Sequence, residues 1–244
     1  MRSRAPRASL LAAALLGVAA SVPGASAQAA TTPLVEHMVV FRDGRAPVKT
    51  LRAGAVTVRA SGRRCAVGAG TPLAALVRSR AGALSVRDFG SCSRRARDAG
   101  SLFVRGIGSD RNAGRSGWVY KVGQRLGTAG AGDPRGPFGR GAIRSGARVL
   151  WFYCQAPAGT QSCQRTLAVE PRDEGGGVLS VRVSAFDNEG RGVAAPGATV
   201  VAGGVRAQAG PDGVARLSAA PGTYSVHAEQ PGLVRSFAER TLVR

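Results

Sequence analysis

Apolar and polar residues alternate in short runs along the chain, and most runs end at a glycine or a polar turn. Alternation over about four to eight residues is typical of half-buried β-strands. Between residues 30 and 165 the pattern predicts strands over Met38–Phe41, Ala55–Ala60, Ser101–Ile107, Gly117–Gly123 and Val149–Tyr153. The fold is therefore predicted to be mainly β.

One helix is predicted within this first half. Thr71 is a residue type that caps helix N-termini, Pro72 suits the first helical position, and apolar residues recur through Leu73–Val77. We expect the helix to end at Gly82, because glycine readily adopts the left-handed conformation that closes many helices.

Strand and turn signals alternate through residues 166–244. Strands are predicted over Val178–Phe186, Ala198–Val201, Val214–Leu217 and Gly222–Ala228, with turns at Asp187–Gly190 and Gly210–Gly213. Short strands with turns about 8–12 residues apart predict a small all-β sandwich.

The amino terminus predicts export. Basic residues precede an apolar run at Leu10–Ala20, and small residues follow up to Ala29. This order is typical of a secretory signal peptide, here residues 1–29. The run of 11 residues is shorter than the roughly 20 that a membrane span needs. We expect a secreted, extracellular protein, loosely associated with the cell surface and without a transmembrane anchor.

After the predicted signal peptide, the net positive charge comes entirely from the first part of the chain. The sequence has 34 Lys plus Arg and 14 Asp plus Glu. Residues 30–165 hold 23 basic and 6 acidic residues, whereas residues 166–244 hold 8 of each. This step predicts two domains, 30–165 and 166–244, with different surfaces.

A surface this basic attracts anionic polymers in a salt-dependent way. The excess of Arg over Lys and the frequent Ala and Gly are typical of a GC-rich bacterial genome. Outside a bacterium the candidates are anionic envelope glycans such as teichoic-type polymers, anionic lipid head groups and free DNA. The export signal argues against intracellular nucleic acid as a partner.

Four motifs in the first domain occur together in a known family. They are the helix Thr71–Val77, the strand Gly117–Val122, the small-residue loop Gly130–Asp133 and the final strand Val149–Tyr153. In this combination the chain resembles the transcobalamin carboxy-terminal-like domain of unknown function, over roughly residues 56–154. The resemblance implies an α+β, β-grasp-like fold with one helix packed on a mixed sheet.

The resemblance has limits that bear on the ligand. Where the family has an Asn-Gly turn, this chain has Gly123–Arg125. The best-known member of the family binds a corrinoid, but we do not transfer that ligand, and no cofactor is predicted. The second domain resembles carboxypeptidase-regulatory-like and bacterial Ig-like sandwiches over Asp187–Val226, which implies a spacer or interaction module.

The four cysteines predict disulfides. An even number in an exported chain favours oxidised pairs, and the chain has no C-x-x-C motif that would indicate zinc or redox chemistry. Proximity along the chain favours Cys65–Cys92 and Cys154–Cys163, and the other two pairings stay open.

The polar residues do not assemble a catalytic motif. His37 and His227 are the only histidines and lie in different predicted domains. Asp110 and Asp133 have no spacing that would bring them together, and Asp187–Gly190 is better explained as a turn than as a calcium loop. We therefore predict that the protein is not an enzyme and has no metal site.

The binding candidates lie in the turn-rich end of the first domain. They are Arg111, Arg115, Trp118, Tyr120, Arg125 and Arg135. The aromatic pair could form a platform for a sugar or a base, although a place in the core is the better interpretation of their alternation.

The sequence thus favours a non-catalytic binding or envelope-associated protein that interacts with anionic surface polymers. The alternative is a small-ligand-binding protein that uses a pocket beside the Trp118 strand. A hydrolase is the least supported hypothesis.

Overall fold

The fold is mainly β, as predicted. The computed structural model describes residues 32–156 and 162–244, so the predicted signal peptide lies outside the described residues. The strands of the first half are β1 (Leu34–Val40), β2 (Val48–Arg52), β3 (Val56–Ala60), β4 (Arg63–Val67), β5 (Leu84–Asp88), β6 (Leu102–Ile107), β7 (Asp110–Arg111), β8 (Gly117–Val122), β9 (Arg125–Leu126) and β10 (Arg148–Cys154). The helix α1 (Pro72–Ser79) lies between β4 and β5, and a short 3₁₀ turn (Ala96–Asp98) follows β5.

These strands form two five-stranded sheets. The inner sheet has the order β2-β1-β10-β8-β9, with β1 and β10 parallel. The outer sheet has the order β4-β3-β5-β6-β7, with β3 and β5 parallel. One core of buried residues draws on both sheets and on α1, which shows that the two sheets and the helix pack around the same apolar centre.

The helix begins where the sequence predicts. Thr71 is the N-cap, with its hydroxyl oxygen accepting a hydrogen bond from the Ala74 N–H at 3.2 Å, and Pro72 opens the helix. It ends at Ser79 and not at Gly82, because Arg80 takes the left-handed conformation (φ 52°, ψ 37°). Gly82 has another role: a Cβ there would lie 2.9 Å from the Gly108 backbone nitrogen.

The inner sheet is covered on both faces, and β10 shows why its sequence is so apolar. Residues Val149, Trp151 and Tyr153 belong to the first core. Residues Leu150, Phe152 and Cys154 belong to a separate junction core. Because alternate residues of a strand point to opposite faces, a strand buried on both sides needs a continuous apolar run.

The second half is a two-sheet sandwich. Its strands are β11 (Thr166–Gly175), β12 (Val178–Phe186), β13 (Gly192–Ala194), β14 (Thr199–Ala202), β15 (Val205–Gln208), β16 (Val214–Ser218), β17 (Gly222–Glu229) and β18 (Glu239–Val243). One sheet joins β11, β12, β13 and β16, and the other has the order β15-β14-β17-β18. A second core, drawn from both sheets, lies between them.

The junction core links the two halves. Met38 and Phe152 of the inner sheet pack there with Val234 and Phe237 of the second half. Through these contacts Thr31–Arg244 forms one compact unit. The two main cores are separate, but the junction core connects the two halves. The division into domains at residue 165 therefore stays a prediction.

Two cations, one buried and one half-buried, link the halves at this junction. The Lys121 ammonium, fully buried on β8, donates to Thr166 Oγ1 (2.9 Å), to the Phe186 carbonyl (3.1 Å) and to the Asp187 carbonyl (2.7 Å). Burial lowers the pKa of Lys121 to about 8. Every hydrogen-bond donor of the ammonium has an acceptor in the second half.

Arg148 is the second cation. It pairs with Glu36 on β1 (Nε–Oε2 2.7 Å) and with Glu239 on β18. The two carboxylates raise the pKa of this guanidinium. Arg148 thus connects three strands across the junction of the two halves.

Candidate anion-binding surface

The outward face of the outer sheet carries exposed arginines and phenylalanines. On β3 and β4 the residues Val58 and Cys65 point into the first core, so Arg59 and Arg64 point outward. On β6 the alternation of buried Leu102 and Val104 places Phe103 and Arg105 outward. Arg87 pairs in register with Phe103 and shares its face, and Phe89 follows it. We call this surface the arginine-rich face; its residues are Arg59, Arg64, Arg87, Phe89, Phe103 and Arg105, with Arg94 at its margin.

The side chains of this face are close neighbours. Arg59 and Arg64 are directly opposite each other on β3 and β4. The rings of Phe89 and Phe103 meet edge to face, with centroids 5.8 Å apart. The guanidinium carbon of Arg87 lies 4.7 Å above the centre of the Phe89 ring. The face therefore combines cations and aromatic rings in one array.

A hollow marks one end of the face. The Ser93 carbonyl accepts a hydrogen bond from the Ala66 N–H (2.8 Å), which places Arg94 beside the edge strand β4. Arg64, Arg94, Thr57 and Ala66 line the hollow, whose volume is about 400 Å³. Two guanidinium groups and a hydroxyl in one recess suit an oxyanion.

The charge of the face is not neutralised by the described residues. No ion pair among residues 32–156 and 162–244 involves Arg59, Arg64, Arg87, Arg94 or Arg105, and all five are exposed. Asp88 on β5 points to the inner side of the sheet, away from the arginines. Its carboxylate accepts hydrogen bonds from Cys92 N–H, Gly90 N–H and the Ser101 hydroxyl. Burial alone would raise the pKa of Asp88, but these hydrogen bonds hold it below its usual value.

The disulfide Cys65–Cys92 braces this face from beneath. It joins β4 to the segment after β5, and both cysteines are buried in the first core. The second disulfide, Cys154–Cys163, follows β10. This is the pairing that sequence proximity favours. Two disulfides indicate a compartment outside the reducing cytoplasm.

The two aromatic residues that the sequence offered as binding candidates lie in the core. Trp118 and Tyr120 are 4% and 7% exposed. The Trp118 ring packs edge to face on Phe41 and Tyr153, and the Tyr120 hydroxyl donates to the Ala129 carbonyl at 2.6 Å. Burial raises the pKa of Tyr120. Neither ring offers an exposed face for stacking.

The four candidate arginines are exposed but lie on different elements. Arg111 is on the edge strand β7 and donates to the Gly108 carbonyl, and Arg115 is in the turn before β8. Arg125 is on β9, with its guanidinium over the Phe138 ring. Arg135 is paired with the buried carboxylate of Asp133 (2.9 Å), and its hydrogen bonds lower the pKa of Asp133. The structure does not gather them on one strand face.

A second concave site lies at the ends of β1 and β10. This cleft of about 700 Å³ is bounded by Phe41, Tyr153 and the segment Gln230–Arg235. Among the described residues, Gln230 Oε1 and Arg235 Nε are buried without a hydrogen-bond partner. Gln230 and Arg235 both line the cleft, so one unpartnered acceptor and one unpartnered cationic donor lie just beneath its surface.

The remaining chemistry of the described residues is sparse. No group of three or more His, Cys, Asp and Glu side chains within them is close enough to hold a metal ion. Among the described residues, none of the helices has the length and apolar character that a membrane crossing requires. His37 is buried, and burial lowers its pKa to about 3, so its imidazole is neutral near pH 7.

No family model, curated protein or solved structure matches this chain. The resemblances to the transcobalamin-like and Ig-like domains therefore rest on their motifs alone.

Sequence reasoning missed most of the arginine-rich face, although its signal is present. In Ala55–Ala60 and in Leu102–Ile107 the apolar positions alternate with Arg59, Phe103 and Arg105. Where apolar and polar residues alternate along a strand, a phenylalanine at a position that should be polar indicates an exposed ring. What sequence could not provide was the pairing of β3, β4, β5 and β6 that places these residues side by side.

Proposed function

We propose that this chain is a secreted, non-catalytic protein that binds anionic polymers of the cell envelope through the arginine-rich face. The observation that carries this proposal is the set of five exposed arginines, four on one sheet surface and Arg94 at its margin, outside every ion pair among the described residues. Guanidinium groups in such an array attract polyanions over several ångströms and then bind their oxyanions bidentately. The sandwich formed by the second half, which has no net charge, then serves as a spacer or an interaction module.

Export is part of the same proposal. The predicted signal peptide and the two disulfides both favour an extracytoplasmic site, where envelope glycans and lipid head groups are the abundant anions. Both of these partners have their charge at an accessible surface, where the arginine-rich face can reach it.

The test measures binding of the chain to dextran sulfate and to uncharged dextran over a salt series. We expect salt-sensitive binding to dextran sulfate and none to dextran. The triple variant Arg59→Gln, Arg64→Gln, Arg94→Gln should lose about tenfold or more in affinity at low salt. Absence of binding by the wild-type chain at low salt would overturn the proposal.

A charge-matched control separates the face from net charge. Arg182→Gln, Arg216→Gln, Arg240→Gln removes the same three charges from exposed positions of the second half that are also outside its ion pairs. We expect this variant to bind nearly as well as the wild type. Equal losses in both variants would show that overall charge, and not the face, is responsible.

The cleft at the ends of β1 and β10 supports a second candidate function, the binding of a small polar ligand. Its buried, unpartnered Gln230 Oε1 and Arg235 Nε are the specific observation, since such atoms are normally paired. A thermal-shift panel of small carboxylates and amides tests it. Stabilisation that is lost in Arg235→Gln would support it, and a panel without any stabilising compound would count against it.

A further inference from the structure

We propose that the arginine-rich face binds single-stranded nucleic acid, with unstacked bases resting on Phe89 and Phe103 and phosphates held by the arginines around them. This inference rests on the anion binding that the proposed function assigns to the same face, and it names a polyanion outside the envelope that the face binds more tightly than envelope polymers. Its ligand is a strand that is free outside the cell.

The first observation is a pair of exposed aromatic rings on this face. Among the described residues, Phe89 and Phe103 are the only aromatic residues that are exposed, at 64% and 44%. Phe89 directly follows β5 and Phe103 is on β6, and their rings are in contact. Two adjacent rings on an open sheet surface form a stacking platform, which is how sequence-tolerant single-strand binding proteins hold successive bases.

The arginines carry the second step. All five cations of the face are arginines, whose planar guanidinium groups fit phosphate oxygens bidentately and also stack on flat rings. Arg87 already lies over the Phe89 ring. A base that stacks on Phe103 would therefore have a cation and a second ring beside it.

Repulsion within the free protein supports the same conclusion. Arg59 and Arg64 are directly opposite each other across β3 and β4, and like charges in this position destabilise a sheet. A phosphate between them would relieve the repulsion. The hollow beside Arg64 and Arg94, about 400 Å³ in volume, has room for such a group.

Shape selects the single strand among phosphodiester polymers. A duplex offers phosphates to a flat sheet but keeps its bases stacked inside. A glycerol-phosphate polymer offers phosphates and has no rings. A single strand alone offers both groups in alternation, as the face requires.

The test compares two strands with the same number of phosphates. Binding of the chain to a fluorescent deoxythymidine oligonucleotide and to an abasic oligonucleotide of equal length is measured by anisotropy at several salt concentrations. We expect the thymidine strand to bind at least tenfold more tightly than the abasic strand. A duplex and a glycerol-phosphate polymer should resemble the abasic strand.

Conservative variants locate the effect. Phe89→Leu, Phe103→Leu keeps both positions apolar and removes the rings, so affinity for thymidine should fall to the level of the abasic strand. Phe89→Tyr, Phe103→Tyr keeps the rings and should preserve the preference. Because both side chains are exposed, these variants should fold, and an unchanged melting temperature verifies it.

The outcomes separate this inference from the proposed function. Equal affinity for thymidine and abasic strands, with unaffected leucine variants, would overturn the inference while the anion-binding function stands. No binding to any polyanion, including dextran sulfate, would overturn both. A thymidine preference that persists in the leucine variants would place base recognition elsewhere and also contradict the inference.

Discussion

His37 is the most strongly perturbed of the two histidines. It lies on β1 on the same face as Val35 and Val39, and it is only 1% exposed. Its Nε2 atom has no hydrogen-bond partner among the described residues. Burial, together with a smaller contribution from the nearby charge of Lys49, lowers the pKa of His37 to about 3. The folded protein therefore keeps this ring neutral at pH values where the unfolded chain protonates it.

Because the folded protein keeps His37 neutral, we expect the protein to lose stability in mild acid. Between pH 6.5 and pH 3 the unfolded chain binds a proton that the folded protein excludes, so the free energy of unfolding falls as the pH falls. From pH 7 to pH 5 we expect a decrease of about 2 kcal/mol, measured by urea denaturation. His37→Leu removes both the titration and the unpartnered polar atom, so its stability should stay nearly level over this range.

Two comparisons make this prediction specific. His227 also has a lowered pKa, caused first by burial, but it is half-buried, so His227→Asn should keep most of the pH dependence. The aspartates with lowered pKa values lose their stabilising effect only below their usual range near pH 4, outside the window. A full decrease in His37→Leu would show that another group is responsible.

At the scale of elements, the helix α1 depends on its first residue. Thr71 is buried; its hydroxyl accepts from the Ala74 N–H and donates to the Gly68 carbonyl at 2.9 Å. Leu73 and Leu76 pack into the first core, which the helix shares with both five-stranded sheets. A helix of only eight residues gains little from its own hydrogen bonds, so its cap and its packing hold it.

Thr71→Ala should therefore destabilise the protein by about 1–2 kcal/mol. The substitution removes the capping oxygen and also leaves the half-buried Gly68 carbonyl without its donor. Thermal or urea unfolding measures the change. Thr71→Ser retains the hydroxyl and is the matched control, for which we expect a smaller loss; equal losses for alanine and serine would attribute the effect to the missing methyl group.

At the scale of the whole molecule, the junction decides whether the two halves unfold together. Lys121 and Arg148 each bond to the second half, and the junction core adds apolar contacts between the halves. The apolar contacts of the junction core couple the unfolding of one half to that of the other. We therefore expect a single unfolding transition for the whole chain.

The tryptophans make that expectation measurable. Trp118 and Trp151 are the only tryptophans and both lie in the first core, so their fluorescence reports the first half alone. Far-UV circular dichroism reports strands of both halves. In guanidinium chloride the two curves should coincide, and two separated midpoints would show that the halves unfold independently.

Arg148→Met tests the junction directly. It leaves Glu36 and Glu239 without their shared partner, so we expect a destabilisation of about 1–2 kcal/mol that shifts both curves together. Arg206→Met is the control, since its ion pair with Glu229 is exposed and lies within the second half; we expect a change below about 0.5 kcal/mol. If Arg148→Met shifted only one of the two curves, the coupling would be disproved.

Much of the architecture could be predicted from local patterns. The alternation at Val56–Ala60 and Val178–Phe186, the cap at Thr71 and the turn at Asp187–Gly190 depend on a few neighbouring residues, and these predicted elements are in the structure. Among the described residues, nine strands were not predicted: β2, β4, β5, β7, β9, β11, β13, β15 and β18. In β2, β4 and β5 charged residues interrupt the apolar period, and pairing with neighbouring strands of the sheets holds these segments as strands.

Local signals were sufficient for the mainly β character, the helix start, the favoured cysteine pairing and the excess of positive charge in the first half, because each of these is a property of composition or of residues near one another in the chain. Which side chains share a surface depends instead on the tertiary structure. It buried Trp118 and Tyr120 in the core, joined Arg148 to Glu239, and brought Arg59, Phe89 and Phe103 onto one open face. Strand order and register fix these neighbours, and both are set by contacts between residues far apart in the chain, which no local pattern records.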